Sequence, residues 1–159
     1  AKSIGNGASL AAVVTTPEIA ATLQQRIHFN TFGGNPISCT IGKTVLEIME
    51  RDNLQERCAT LGKRLMNGLH KLMEKHEVIG DVRGKGLMLG MELVTDRDSK
   101  EPAAARTAAV FEKARELGAL IGKGGLDGNI IRIAPPMCIT EADIDFLLEV
   151  LDLSFEQTA

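Results

Sequence analysis

The sequence contains no tryptophan and no tyrosine, and aromatic residues make up only 3% of its 159 residues. Its 18 lysines and arginines are balanced by 21 aspartates and glutamates, so the formal net charge is −3. Proteins that bind nucleic acids place basic residues along the phosphate backbone and stack aromatic rings on the bases. Because this chain has neither feature, we do not expect it to bind nucleic acid.

The sequence also lacks long apolar runs. No stretch approaches the roughly 18 uninterrupted apolar residues of a membrane-spanning helix, and the first residues do not follow the layout of a signal peptide. We therefore expect a soluble intracellular chain with no membrane partner. A targeting peptide would precede the first residue, so the choice between cytoplasm and mitochondrion stays open.

Cysteine is scarce, and the three that occur, Cys39, Cys58 and Cys138, are widely spaced and form no CxxC motif. Free cysteines in apolar patterns are usually buried, so we predict buried thiols in a reducing compartment. The three histidines, His28, His70 and His76, show no spacing typical of a metal site. We expect them on the surface and predict no bound metal.

The composition is otherwise that of a globular protein, with 44% hydrophobic and 25% charged residues. The hydrophobic pattern predicts a short strand over residues 8–14 and helices that start at Thr16, Asn35, Asn53, Pro102 and Thr140. The spacings of Asn53 to Glu56 and of Thr140 to Asp143 predict reciprocal caps, and residues 96–102 are predicted to form a polar loop. Further strands are predicted in the segments VIGDVRGKGLMLGMELV, ALIG and NIIRIAPP. From residue 53 onward the pattern favours an α+β layer of helices on a small, mostly antiparallel sheet.

Three polar residues stand in unusual local sequences, although each has an ordinary explanation. Lys2 in AKSIGNG is compatible with a solvated lysine, and Thr31 in NTFGGNP with a loop hydroxyl bonded to its own backbone. Strand alternation places Arg132 of IIRIAPP opposite Ile131 and Ile133, on a face that is wet, ion-paired or directed at a ligand. A structural salt bridge and a ligand site both remain open for Arg132.

Four blocks occur in order along the chain: AKSIGNG with AAVVTT, then HFNTFGGNP, VRGKGLMLGMEL and IIRIAPPMCIT. Together they resemble the C-terminal part of the class III pyridoxal-phosphate aminotransferases, and most of all the alanine–glyoxylate aminotransferase 2 branch. The resemblance implies an α/β fold, the C-terminal part of a fold-type I transferase that depends on pyridoxal 5'-phosphate. It implies that residues 1–35 are the tail of the large cofactor-binding domain, residues 36–52 an interdomain helix, and residues 53–159 the small C-terminal domain.

The resemblance also implies roles for single residues. Lys2 matches the lysine that forms the internal aldimine with the cofactor, and is thus both catalytic and cofactor-binding. Thr31 matches the threonine that donates its hydroxyl to the cofactor phosphate of the neighbouring subunit, which implies a homodimer. Arg132 matches the ligand of the substrate carboxylate, for which a planar guanidinium is suited. Arg83 in VRGKG is structural by the same comparison.

The implied reaction moves an amino group from an alanine-like amino acid to a keto acid such as glyoxylate or pyruvate. Because members of the family are much longer, we expect an incomplete chain whose phosphate cup, ring-stacking aromatic and pyridine-pairing acid lie upstream. The sequence also departs from the family pattern at Ser3 and in residues 8–10, next to the expected lysine. The alternative is a non-catalytic module that folds alone and dimerises through apolar surface.

Overall fold

The computed structural model describes residues 4–158 of the chain. Contacts within the chain divide it into two compact units, Ala1–Asn53 and Leu54–Ala159. None of the helices within residues 4–158 combines the length and the apolar character needed to cross a membrane.

The first unit contains two helices, α1 (Pro17–Gln24) and α2 (Pro36–Arg51). Both begin with proline, whose missing N–H is not needed in the first helical turn. The side-chain oxygen of Asn35 accepts hydrogen bonds from the backbone N–H groups of Ile37 and Ser38, at 3.1 and 3.2 Å. These bonds cap α2, and both helix starts predicted in this part of the sequence are confirmed.

The strand predicted over residues 8–14 does not form. Residues 9–16 have no regular secondary structure, and Val13 and Val14 are 90% and 96% exposed. A strand needs a neighbour to satisfy its backbone N–H and C=O groups. No segment within residues 4–158 pairs with this one, so an apolar pattern alone was insufficient to make a strand.

The second unit is an α/β layer built on a four-stranded sheet. Its elements are α3 (Leu54–Lys75), β1 (Ile79–Lys85), β2 (Met88–Leu93), α4 (Ala104–Glu116), β3 (Gly122–Gly124), β4 (Ile130–Ile133) and α5 (Glu141–Gln157). The strands lie in the order β1-β2-β4-β3, and every neighbouring pair is antiparallel. The fold class predicted from the sequence is confirmed.

The three helices pack on one face of the sheet and leave the other face open. The packed face carries Val82, Leu89, Met91, Leu93, Ile131 and Ile133, all buried against apolar side chains of α3, α4 and α5. The opposite face, which we call the open face, carries Asp81, Arg83, Lys85, Gly90, Glu92, Gly122 and Arg132. The alternation of apolar and polar residues along the strands decides which side chains face the helices.

Strand β3 begins later than the segment ALIG predicted. Gly118 adopts the left-handed conformation (φ 96°), and the N–H of Ala119 bonds to the carbonyl of Ala114 at 2.9 Å. This hydrogen bond satisfies one of the last carbonyls of α4 and holds Ala119, the first residue of ALIG, at the helix end. The strand therefore starts only at Gly122.

Helix α5 begins at a reciprocal cap, as its sequence predicts. The Thr140 hydroxyl accepts a hydrogen bond from the N–H of Asp143 at 3.2 Å, and the Asp143 carboxylate accepts one from the N–H of Thr140 at 2.8 Å. Hydrogen bonds from the Thr140 hydroxyl and N–H hold the pKa of Asp143 below its usual value. The helix start is thus fixed by residues close in sequence.

Helices α3 and α5 are joined at one end by a charged cluster. Lys75 lies 2.7 Å from both Asp152 and Glu156, and the Nε2 atom of His76 lies 2.6 Å from the Asp152 carboxylate. The His76 side chain is only 12% exposed and its ring lies 5.0 Å from that of Phe155. The expectation of a surface histidine is therefore wrong for His76, because the turn after α3 directs it onto α5.

The charged cluster predicts how stability responds to acid. Burial alone would raise the pKa of Asp152, but hydrogen bonds from Lys75 and His76 outweigh it and keep the pKa below the usual value. A carboxyl of this kind stabilises the fold above its unfolded pKa, about 4, and stops doing so as the pH falls through the lower folded value. In this acid range we expect the melting temperature of Asp152→Asn to fall less steeply with decreasing pH than that of the unaltered chain.

Thermal unfolding followed by circular dichroism at a series of pH values measures this effect. Asp127→Asn is the matched control, because Asp127 is exposed on the β3–β4 turn and forms no ion pair within residues 4–158. An acid response that is the same in Asp152→Asn as in the unaltered chain would contradict the assignment.

Candidate functional site

Arg132 lies in the middle of β4 and projects from the open face of the sheet. Its neighbours Ile131 and Ile133 are 0% and 2% exposed on the packed face, whereas Arg132 is exposed. This alternation places a permanent positive charge on a surface held by a rigid strand. Strand β4 pairs on both sides, which fixes the position of its backbone.

The strands beside β4 present glycines to Arg132. Gly90 of β2 and Gly122 of β3 are its register partners on the two sides. Residues directly opposite in an antiparallel pair lie on the same face of the sheet. Neither register partner of the arginine therefore carries a side chain.

Arg83, the other arginine on the open face, is already paired. Its guanidinium lies 2.5 Å from the Asp81 carboxylate and 2.6 Å from that of Glu92. Hydrogen bonds to Asp81 and then to Glu92 raise the pKa of Arg83 above its ordinary value. This pairing agrees with the structural role expected for Arg83.

Arg132 has no such partner. Within the described part of the chain, no carboxylate forms an ion pair with it. The structural salt bridge considered from the sequence is thus not formed by residues 4–158. A guanidinium without a partner can bind a carboxylate through two parallel N–H···O bonds.

A cavity of about 310 Å³ lies beside Arg132. Its other lining residues are Leu120, Ile121, Gly122, Ile133, Ala134, Pro135, Pro136 and Leu147. Leu120 and Gly122 were not predicted from the sequence as site residues. The only indication in the sequence was the apolar Leu120 of the segment ALIG, which is 86% exposed in the structure. One cation and apolar walls suit a small molecule with a carboxylate and a short apolar group.

The proline wall of this cavity is held by a contact from α3. The Arg57 guanidinium donates a hydrogen bond to the carbonyl of Ile139 at 2.7 Å, and the N–H of Ile139 donates to the carbonyl of Pro136 at 3.0 Å. These bonds hold the segment between β4 and α5 in a turn. The cavity is therefore bounded by an ordered segment that two hydrogen bonds restrain.

Thr31 lies in the first unit, in a turn that precedes α2. The Asn30 side chain accepts a hydrogen bond from the N–H of Phe32 at 3.0 Å, and the N–H of Gly33 donates to the Asn30 carbonyl at 2.9 Å. Thr31 is exposed, and its hydroxyl forms no hydrogen bond within residues 4–158. The turn thus presents a hydroxyl that can donate to a bound anion.

Lys2 lies outside the described residues, as does Ser3. The segment that follows them is a tight turn, in which Asn6 and Gly7 have positive φ angles of 46° and 103°. The N–H of Ala8 donates to the carbonyl of Gly5 at 3.0 Å. Of the two predicted site residues that the structure describes, Thr31 belongs to the first unit and Arg132 to the second.

The remaining metal-binding and redox residue types form no site in the described part of the chain. No group of three or more His, Cys, Asp or Glu residues could hold a metal ion among residues 4–158. The three cysteines are free, and Cys39 and Cys138 are exposed while Cys58 is half-buried. The prediction of buried thiols is wrong for Cys39 and Cys138: Gly42 is the only buried residue of α2, which carries Cys39, and Cys138 lies in the segment between β4 and α5, beside the buried Ile139.

Comparison with known proteins extends these observations. The sequence model of the family "Aminotransferase class-III" matches residues 1–155. A protein of Arabidopsis thaliana named alanine–glyoxylate aminotransferase 2 homolog 2, mitochondrial, is 56% identical over 157 residues, which are 99% of this chain and 33% of the relative.

Two solved structures show the same fold. A phospholyase from Arthrobacter, in complex with phosphoethanolamine, is 35% identical with a TM-score of 0.89, over 96% of this chain and 36% of its own. An amine transaminase from an uncultivated Pseudomonas species, in its pyridoxal-phosphate-bound internal aldimine form, is 31% identical with a TM-score of 0.77, over 86% of this chain and 31% of its own.

The chain spans about a third of the length of the curated relative, 33%. The family match over residues 1–155 confirms the resemblance carried by the four sequence blocks. The likeness to these two solved structures agrees with the α/β fold of the second unit. The chain belongs to the class III aminotransferase family.

Proposed function

We propose that the chain is a segment of a pyridoxal-phosphate-dependent transaminase. The enzyme moves an amino group from an alanine-like amino acid to a keto acid such as glyoxylate or pyruvate. The observation that carries this proposal is the 56% identity with the Arabidopsis thaliana relative over 99% of the chain. Because the chain covers 33% of that relative, further groups outside this segment complete the site.

In this proposal the chain contributes to two domains. Residues 1–35 are the tail of the large cofactor-binding domain, residues 36–52 the connecting helix, and residues 53–159 the small domain. The division of contacts after Asn53 supports the last boundary, and α2, Pro36–Arg51, supports a helix between the domains. The name of the relative supports a mitochondrial location.

Arg132 binds the carboxylate that amino acid and keto acid substrates share. The lack of an ion pair within residues 4–158 and the adjoining cavity of about 310 Å³ support this role. Both substrates carry the carboxylate next to the reacting carbon, so one cation orients both. Because that carbon is bonded to the carboxylate, Arg132 thereby fixes the position of the reacting carbon relative to the guanidinium.

The residues of the first unit suit the cofactor. Pyridoxal phosphate, when bound, supplies the electron sink for chemistry at the substrate α carbon. The Lys2 amine binds the cofactor aldehyde and transfers the proton of the substrate α carbon. Both roles require an amine that is deprotonated near neutral pH. The exposed Thr31 hydroxyl donates to the phosphate of the cofactor in a second copy of the chain, which makes the enzyme a homodimer.

Covalent labelling of the chain tests this proposal. Pyridoxal phosphate is added, the Lys2 amine condenses with the aldehyde with loss of water, and borohydride delivers hydride to the resulting C=N bond. We expect one label per chain at Lys2, located by peptide mass spectrometry, and its loss in Lys2→Ala. Lys43→Ala is the matched control, because the Lys43 side chain is 76% exposed and has only a surface ion pair.

Fragment ions separate a label on Lys2 from one on the terminal amine, which has a pKa of about 8 and competes for the aldehyde. Labels scattered over surface lysines would contradict a retained site in this chain. That result would favour the alternative of a non-catalytic module that folds alone and dimerises.

A further inference from the structure

Some glycines of the second unit are required by the fold. Gly84 has a φ of 146°, and a Cβ built on it would lie 2.1 Å from the carbonyl oxygen of Met88. A Cβ built on Gly80 would lie 2.7 Å from a methyl group of Val94. No side chain fits at these positions without movement of the surrounding structure.

Gly90 is different, because the fold does not require glycine there. It is not among the glycines with positive φ, and a Cβ built on it would meet only a methyl group of Ile130 at 3.5 Å, an ordinary contact. Strand β2 lies inside the sheet, where glycine is weaker than a β-branched residue. A side chain at Gly90 would therefore stabilise the sheet.

The residue that benefits from the missing side chain is Arg132. Gly90 and Gly122 are its register partners on the two flanking strands, and a Cβ built on Gly122 would lie 3.4 Å from the Cβ of Arg132. A side chain at either position would stand next to the arginine on the open face. Gly122 also lines the cavity beside Arg132.

Gly90 lies between Arg83, which is ion-paired, and Arg132, which has no carboxylate partner in the described part of the chain. Gly90 is the register partner of Arg83 as well as of Arg132. Arg83 is held by Asp81 and Glu92, so its charge is already balanced. A larger residue at Gly90 would stand beside the Arg132 guanidinium on the open face, on the strand opposite to Gly122, which lines the cavity.

We propose that Gly90 and Gly122 are specificity-determining residues, whose missing side chains keep the Arg132 guanidinium open to the carboxylate of a small acid. The proposal rests on the proposed function, since it assumes that Arg132 binds the substrate carboxylate. Glycine at position 90 lowers the stability of the sheet and leaves the Arg132 guanidinium accessible, and this guanidinium has no carboxylate partner within residues 4–158.

The test compares Gly90→Val with Gly124→Val in the 159-residue chain. Gly124 is the matched control, because it also lies in the sheet without a positive φ, a built Cβ has no atom within 4 Å, and its partner is Ile130. Phenylglyoxal, a planar dicarbonyl that reacts with guanidinium groups, probes Arg132, and peptide mass spectrometry locates the adduct.

In Gly90→Val we expect adduct formation at Arg132 to be slower by about tenfold, the scale of one added methylene in a binding pocket. Pyruvate, added as a competitor, should protect Arg132 in the unaltered chain and not in Gly90→Val. Gly124→Val should leave both results unchanged. Both variants should raise the melting temperature, by about 3–6 °C, since β-branched residues favour strands.

Gly90→Ala should also slow adduct formation at Arg132, but by less than Gly90→Val. The labelling of Arg51 in the same sample serves as the internal reference. Equal labelling of Arg132 in the unaltered chain and both Gly90 variants would overturn the inference. A lower melting temperature in Gly90→Val and Gly90→Ala than in the unaltered chain would also overturn the inference, because the fold would then require glycine at this position. Failure of the proposed function would appear separately, as the loss of specific labelling at Lys2.

Discussion

Replacing Gly62 with alanine is expected to destabilise the second unit by about 3 kcal/mol or more. Gly62 is buried in α3, where the helix crosses the turn between β1 and β2. A Cβ built on it would lie 2.2 Å from the carbonyl oxygen of Gly86 and 2.7 Å from its Cα. Since Gly86 is itself left-handed (φ 56°), the turn has little freedom to move away.

Gly68→Ala is the matched control on the same helix. A Cβ at Gly68 would meet only the end of the Leu148 side chain, at 2.3 Å, and that side chain can rotate. The gain in helix propensity, up to about 1 kcal/mol, offsets this adjustment, so we expect almost no change in stability. Urea-induced unfolding followed by circular dichroism measures both variants, and equal midpoints would refute the close contact as the cause.

Arg97→Ala should have the second largest effect, a loss of about 2–4 kcal/mol in the free energy of unfolding. The Arg97 side chain donates hydrogen bonds to four backbone carbonyls, those of Met73, His76, Glu77 and Ile79. Three of these carbonyls, those of Met73, His76 and Glu77, lie at the C-terminal end of α3 and in the turn after it, where the helix supplies no further N–H groups. Removing the side chain takes this donor from the partly buried carbonyls of Met73 and Ile79, whereas the carbonyl of His76 keeps the N–H of Ile79 at 3.0 Å.

Two further variants separate the causes of this loss. Arg97→Lys keeps the positive charge near the helix C-terminus but lacks the fork of donors, so it should recover only a small part of the stability. Arg115→Ala removes an exposed arginine paired only with Glu112, and should change the free energy of unfolding by about 0.5 kcal/mol or less. Full stability in Arg97→Lys would mean that charge, and not the four hydrogen bonds, matters.

The parts of the fold that depend on neighbouring residues could be predicted from the sequence. The cap of α5 depends on Thr140 and Asp143, which are three residues apart, and it forms as expected. The β1–β2 hairpin follows from two extended segments around Gly86. The exposed position of Arg132 follows from alternation within β4.

The parts that depend on distant contacts could not be predicted. Arg97 lies in a segment that looked like a polar loop, and its partners are 18 to 24 residues away. That two glycines flank Arg132 follows only from the strand order β1-β2-β4-β3, which places Gly90 and Gly122 opposite it. Asn53 has a positive φ of 49° where its spacing to Glu56 suggested a reciprocal cap, so a local pattern also failed there.

The sheet order has a consequence for self-association. Its two outer strands are β1 and β3, and β3 is only 3 residues long. Strand β1 presents the charged residues Asp81, Arg83 and Lys85 on one face, and its pairing is irregular near Asp81. Short or charged edges of this kind discourage strand addition. Neither edge therefore offers a good template for cross-β polymers, even at high protein concentration.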